Sequence, residues 1–263
     1  MAINKSSFNV GSIVRKNATN DRLTINRDGH HRYYDDYSSQ LVSASALVSY
    51  WKMDESSGNA TDSVGTNTLT DNNTVTSASG IINTGRQFKS GSNESFSVVS
   101  NASLTGGDVD VTVGGWVYLD TTPGEMHCFG KWNESASREY SLIYATAGGS
   151  VFKFQLSENG TSTSILSATT FGAVSACTWY HVIGWFDSAN NQIGISVNGI
   201  SNTASAPSAF SGTAPLFIGS RTGAGNFLDG RIDEAFLFRR VLTSTEINNL
   251  YNGGVGLAYP FTG

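Results

Sequence analysis

Charge is scarce in this chain. Asp, Glu, Lys and Arg make up 14% of its 263 residues, and acids outnumber bases 21 to 16, for a formal net charge of −5. With a pI near 5.3 there is no excess of cations to face a phosphate backbone, so nucleic acid is not an expected partner. Long apolar runs are missing as well. Met1-Ala2-Ile3-Asn4-Lys5-Ser6-Ser7 contains no hydrophobic stretch of signal-peptide length, and no later segment is long enough to span a bilayer. No membrane is expected as a partner, and synthesis is assigned to a cytoplasm. Cysteine is limited to Cys128 and Cys177, which in that compartment are expected to be free and mostly buried.

The signatures of catalysis are missing too. No Gly-x-Ser-x-Gly elbow, His-x-x-x-His pair or phosphate loop occurs. No strand-like segment carries Glu-x-Asp or Glu-x-Glu, the spacing that aims two carboxylates at one glycosidic bond. Glu234 follows Asp233 directly, and in an extended strand the two point to opposite faces. The histidines are adjacent, as His30 and His31, or isolated, as His127 and His181. The chain reads as non-enzymatic.

What is present suits an all-β protein: 29 glycines, abundant Ser, Thr and Asn, and 39% hydrophobic residues. Phe152, Phe154 and Leu156 alternate with Val151, Lys153 and Gln155, the period of a half-buried strand. Ile193, Ile195 and Val197 repeat it, and Asn198-Gly199 follows as a hairpin turn. Val109, Val111, Val113, Val117 and Leu119 share one parity, with Thr112, Trp116 and Tyr118 on the other. Strands are also expected at 95–99, 179–187 and 216–219. Long alternating strands without intervening helices favour an antiparallel sandwich. Near the end, Thr243 three residues before Glu246 has the form of a capping box. Ile247, Leu250 and Tyr251 give one buried helical face, and Gly253-Gly254 a left-handed stop.

Asn226 to Phe238, with Leu242 to Ile247 and Leu250-Tyr251, resembles the closing signature of laminin-G-like, concanavalin A-like domains. Tyr50 to Gly58, Asp62 to Gly65, Gly85 to Phe88, Gly115-Trp116-Val117, Trp179 to Val182, Val197-Asn198-Gly199 and Ile218-Gly219 look like the earlier blocks in their expected order. The resemblance covers most of residues 47–252. It implies an antiparallel two-sheet jelly-roll sandwich over residues 44–263 with one short C-terminal helix. Residues 1–43, polar and irregular in texture, have no counterpart and are read as an N-terminal arm.

Superfamily members often carry a structural Ca²⁺ held by hard oxygen ligands. By resemblance Asp54 and Asp233 match ligand positions, with Asp62 a further candidate; the same residues also suit turns that bond nearby amides. For sugar, exposed aromatics beside Asn and Asp would form a lectin surface. Trp132, in a loop-like Lys131-Trp132-Asn133-Glu134, is the preferred residue, with Trp116 and Tyr118 as further candidates; tryptophans in such sandwiches also serve the core. In the arm, His30, His31, Arg32, Tyr33, Tyr34 and Tyr37 form an aromatic, basic cluster suited to an assembly interface with virion proteins or further copies of the chain. Packing against the chain's own sandwich is the alternative.

A lectin-like module without an export signal suggests a structural protein of a virus particle. The expectation is a bacteriophage head decoration, fibre or tail component, found in the virion and displaying a domain that binds a host surface glycan. The competing expectation is a secreted or cell-surface carbohydrate-binding or adhesion module.

Overall fold

A computed structural model describes residues 41–133 and 136–262, and before them three strands, β1 (Val14–Asn17), β2 (Arg22–Arg27) and β3 (His30–Asp35). These three pair antiparallel in the order β1-β2-β3, with Val14 opposite Ile25 and Ile25 opposite Arg32. The region expected to be irregular therefore carries regular strands. His30, His31, Arg32, Tyr33 and Tyr34 fall on β3, and Tyr37 lies outside the described residues.

The chain continues through β4 (Leu47–Trp51), β5 (Thr70–Asn72), β6 (Thr76–Ser79), β7 (Thr84–Phe88), β8 (Ser95–Val98), β9 (Val111–Leu119), β10 (Met126–Lys131) and β11 (Tyr140–Ala145). Then come β12 (Val151–Ser157), β13 (Thr163–Ser167), β14 (Thr178–Asp187), β15 (Gln192–Val197), β16 (Ile200–Ser205), β17 (Leu216–Ile218), β18 (Gly230–Phe238) and one helix, α1 (Ser244–Tyr251). The strands build two antiparallel sheets, a jelly-roll sandwich. One sheet runs β13-β12-β11-β10-β17-β8-β5; the other runs β16-β15-β14-β9-β18-β7-β6, with β4 also on β18. No helix among the described residues is long and apolar enough to cross a membrane.

Alternation decides what each face carries. Phe152, Phe154 and Leu156 join Val111, Val113, Val117 and Leu119 in the core between the sheets. Contact there is close: a Cβ on Gly184 would stand 2.1 Å from the Phe154 ring, so glycine lets the facing aromatic rest on β14. Asn198 and Gly199 both take positive φ, 50° and 81°, making the hairpin between β15 and β16.

The outward face of the eight-stranded sheet is covered at its centre. Thr243 Oγ1 accepts from the Glu246 amide at 3.2 Å, while the Glu246 carboxylate accepts from the Thr243 amide at 3.0 Å, completing the capping box. The helix lays Ile247 and Leu250 on Ile183, Trp185, Phe236 and Phe238, with Tyr50 and Phe261 in the same cluster. Its left-handed cap residue is Asn252, one before the expected glycines. Arg240 donates to Glu246 Oε1 at 2.6 Å and to the Ser43 carbonyl at 2.6 Å, tying the start of the sandwich to the helix.

β18 has a divided edge. β9 runs along one side, while β7 takes Gly230 to Ile232 and β4 takes Ala235 to Phe238 on the other. Between Asp233 and Phe236 the register with β9 shifts, and Glu234 takes φ +50°. This is a bulge.

Cys128 and Cys177 are both free. Cys128 is buried, and burial pushes its thiol up to about 12. Cys177 is exposed, contrary to expectation, on a turn at φ +59°.

Candidate functional site

Strands β10 to β13 border a cleft of ≈ 300 Å³ on the outward face of the seven-stranded sheet, lined by Glu125, His127, Trp132, Arg138, Gln155, Thr163, Ile165 and Arg221. Because Phe154 and Leu156 point inward, Gln155 points out; it stands opposite Ser141 on β11 and Ile165 on β13. Ile165 is 55% exposed, an apolar wall open to solvent. His127 is buried, with Nδ1 2.8 Å from Ser141 Oγ and Nε2 3.3 Å from Glu125 Oε1. The Glu125 carboxylate also accepts from Asn226 Nδ2 at 2.7 Å. Its hydrogen bond with His127 holds it below the ordinary carboxylate range, against the effect of partial burial.

Chemically the cleft offers guanidinium, amide and hydroxyl donors, a carboxylate acceptor and two apolar walls. That is a set for holding a polyhydroxylated ligand. Ser141, His127 and Glu125 also have the composition of a hydrolytic array. Ser141, however, is 0% exposed and lies outside the cleft wall, whereas a nucleophile must reach the reacting atom. Its hydroxyl holds the His127 ring in place.

The aromatic sugar-binding candidates lie on different sheets. Trp132 lines the cleft but is only 5% exposed, because the Arg138 guanidinium stands 5.6 Å over its ring. It is a supporting wall and not the exposed loop residue expected. Trp116 and Tyr118 lie on the other sheet. Trp116 is 2% exposed beneath α1, its ring 5.9 Å from Tyr251 and 5.0 Å from His181. Tyr118 remains partly exposed beside Trp179. Gln155, Thr163, Ile165 and His127 were not singled out in the sequence as sugar-binding residues. The parity of β12 marks Gln155 as outward, but nothing in one strand reveals a cleft shared by three strands and their flanking loops.

The acidic candidates separate as well. Asp62 accepts from four backbone amides, those of Tyr50, Val64, Gly65 and Asn67, at 3.1, 3.0, 2.9 and 3.0 Å. Three of these go to Oδ1 and one to Oδ2, so Asp62 orders a turn. Asp62→Ala is expected to cost about 3 kcal/mol or more, since several amides lose their acceptor at once; equilibrium denaturation measures it.

Asp233 Oδ2 accepts from the Ile81 and Ile82 amides at 2.8 and 2.9 Å, leaving the buried Oδ1 without a hydrogen-bond partner. Glu234 accepts from the Tyr50 hydroxyl and leaves Oε1 equally unsatisfied. The bulge defeats the alternation expected of these neighbours: both carboxyls lie on the lidded face. Burial raises Asp233 to about 7 and Glu234 to about 8, with Asp54 adding to both. Asp54 itself holds Thr84, accepting from its amide at 3.2 Å. Among the described residues no three His, Cys, Asp or Glu side chains gather closely enough to hold a metal by themselves. Two desolvated carboxylates with open oxygens nonetheless fit a hard cation completed by backbone carbonyls or water. Both are too buried, at 0% and 3% exposure, to meet a sugar as an acid and nucleophile pair.

A laminin-G family model described as "Concanavalin A-like lectin/glucanases superfamily" matches residues 90–248. The chain belongs to this superfamily. Among solved structures, this superfamily domain is similar to the binding domain of Paraclostridial Mosquitocidal Protein 1 (15% identity, 81% of this chain and 53% of that one, TM-score 0.65). It is also similar to domain 4 of AbnA, a GH43 extracellular arabinanase from Geobacillus stearothermophilus solved with arabinotriose (17% identity, 77% and 97%, TM-score 0.57). A third is the Trypanosoma rangeli sialidase solved with sialic acid (13% identity, 89% and 43%, TM-score 0.60). The chain thus spans about half the length of the first of these. At such identities the likeness is one of fold. No curated protein sequence matches the chain.

Proposed function

We propose that this domain is a non-catalytic carbohydrate-binding module whose ligand sits in the cleft on the seven-stranded sheet. The observation that carries the reading is the cleft itself: hydrogen-bonding side chains from three strands, β10, β12 and β13, and the loops beside them, next to an exposed Ile165. The fold's company supports it, since the structural neighbours include a toxin's binding domain and an arabinanase domain solved with an oligosaccharide. Of the two settings expected from the sequence, that company favours a module of a secreted or cell-surface protein. Recovery of the chain from purified virus particles would favour the virion instead, with residues 1–43 as the attachment to virion proteins or further copies.

A glycan array identifies the sugar, and titration calorimetry with the best binder tests the site. Gln155→Ala should weaken binding about fivefold, the loss of one hydrogen bond of about 1 kcal/mol. Thr163→Trp, on an edge strand at the cleft, should abolish it. Unchanged affinity in both variants would place the ligand elsewhere.

A structural Ca²⁺ belongs to the same proposal, held by Asp233 and Glu234 with Asp54 nearby. Their unsatisfied buried oxygens support it. The ion would neutralise a desolvated pair and fix the junction of β18 with the segments around Tyr50 and Ile81.

A further inference from the structure

Away from the cleft, the register of the eight-stranded sheet sets five side chains in one row. Thr76 stands opposite Gln87, Gln87 opposite Arg231, Arg231 opposite Tyr118 and Tyr118 opposite Trp179, across β6, β7, β18, β9 and β14. At about 4.8 Å between strands the row is roughly 19 Å long. Facing residues on paired strands share a face, here the outward one that also carries Trp116. The neighbouring row is closed, with Trp116 and His181 lying against Tyr251 of the helix. This row is open: Thr76 is exposed and the other four are partly exposed.

Its side chains hold one another in place. The Arg231 guanidinium stands 4.7 Å over the Tyr118 ring, and its Nε donates to Gln87 Oε1 at 2.9 Å. Gln87 Nε2 donates to Asp120 Oδ2 at 2.6 Å, and the Tyr118 and Trp179 ring centroids are 5.4 Å apart.

We infer that this row is a second glycan-binding platform, distinct from the cleft, that takes an extended chain of several sugar units. The Trp179 ring meets the C–H face of a sugar at one end; the Arg231 guanidinium, stacked on Tyr118 and held by Gln87, and the Asp120 carboxylate meet hydroxyls along the rest. Running about 19 Å across five strands, the row suits several units of a chain better than a single terminal sugar. A stable protein contact needs about 800 Å² per partner around an apolar centre, which a stripe one side chain wide does not supply.

Trp179 makes the test specific. Of the five tryptophans, all within the described residues, Trp51, Trp116, Trp132 and Trp185 are buried and Trp179 is not. Acrylamide quenching therefore reports chiefly on the platform. With arabinan, xylan and chitin oligosaccharides from dimers to hexamers as probes, protection of Trp179 should increase with chain length. Trp179→Ala, at unchanged melting temperature, should weaken binding by about tenfold while Trp179→Phe retains most of it, and the length-dependent protection of Trp179 should persist in Gln155→Ala, whose effect is confined to the cleft. The inference is overturned if no probe protects Trp179, if Trp179→Ala binds as the parent does, or if the row proves to be a self-association surface that Trp179→Ala abolishes. Should the Trp179 variant alone affect binding, the cleft reading falls and the platform stands.

Discussion

Between pH 6 and pH 4 the domain is expected to lose about 2.5 kcal/mol of stability through one residue, His181. Its ring is 2% exposed and packed among Trp116, Phe236 and Tyr251, and its Nδ1 lacks a hydrogen-bond partner. Burial alone lowers its pKa from 6.5 to about 3. The folded state thus refuses a proton that the unfolded chain accepts. Above pH 6.5 neither state is charged and there is no penalty. As pH falls below that value the unfolded state gains, until the folded ring titrates near 3, by which point the full loss is about 5 kcal/mol. Set against a typical total of 5–15 kcal/mol, this is a large share.

Other groups titrate over the same range, Glu246 in the same sense and the Asp233–Glu234 pair in the opposite one, so the parent's profile alone does not isolate the histidine. The difference between parent and His181→Phe does. Phenylalanine fills the same aromatic slot without a titrating nitrogen, and the gap between the two proteins in urea denaturation should widen by about 2.5 kcal/mol from pH 6 to pH 4. A constant gap would mean that the ring finds a proton acceptor in the folded state.

The fate of His181 also shows what a sequence of this kind conceals. Strand parity correctly separates Val111, Val113 and Val117 from Trp116, and the capping box at Thr243 correctly begins the helix. Parity does not say which outward positions remain open. That is set by where an eight-residue helix docks, a long-range event that closes Trp116 and His181 and leaves Tyr118 and Trp179 uncovered. Trp132 was misread for a related reason: a loop position does not reveal that Arg138, six residues on, will cover its ring. The strands of β1 to β3 were hidden because short apolar pieces such as Leu23 and Ile25 sit among turn-forming residues. For Asp233 and Glu234 the failure is local, since alternation presumes an unbroken strand and the bulge at Glu234 suspends it.

That bulge sets the other large expected effect. In excess chelator, stability should fall as pH rises from 5 to 8. Folded Asp233 and Glu234 titrate near 7 and 8, well above their ordinary values of 3.8 and 4.5, so the fold favours their protonated forms. The advantage is present at low pH and lost as pH climbs through the folded values. Calcium binds the ionised carboxylates, competes with those protons, and should therefore stabilise more at pH 8 than at pH 6. At a hundredfold excess over Kd the gain is about 2.7 kcal/mol, or roughly 5–10 °C in melting temperature for a domain of this size. Asp62→Ala should leave that shift intact. Asp233→Asn with Glu234→Gln should remove it and, in chelator at pH 8, should melt above the parent, because neutral amides avoid the charge that burial penalises. Equal melting temperatures of the parent with chelator and with calcium at pH 8 would exclude the ion. A destabilised double variant would show instead that the carboxylates act through hydrogen bonds to Ile81, Ile82 and Tyr50, which amides reproduce only in part.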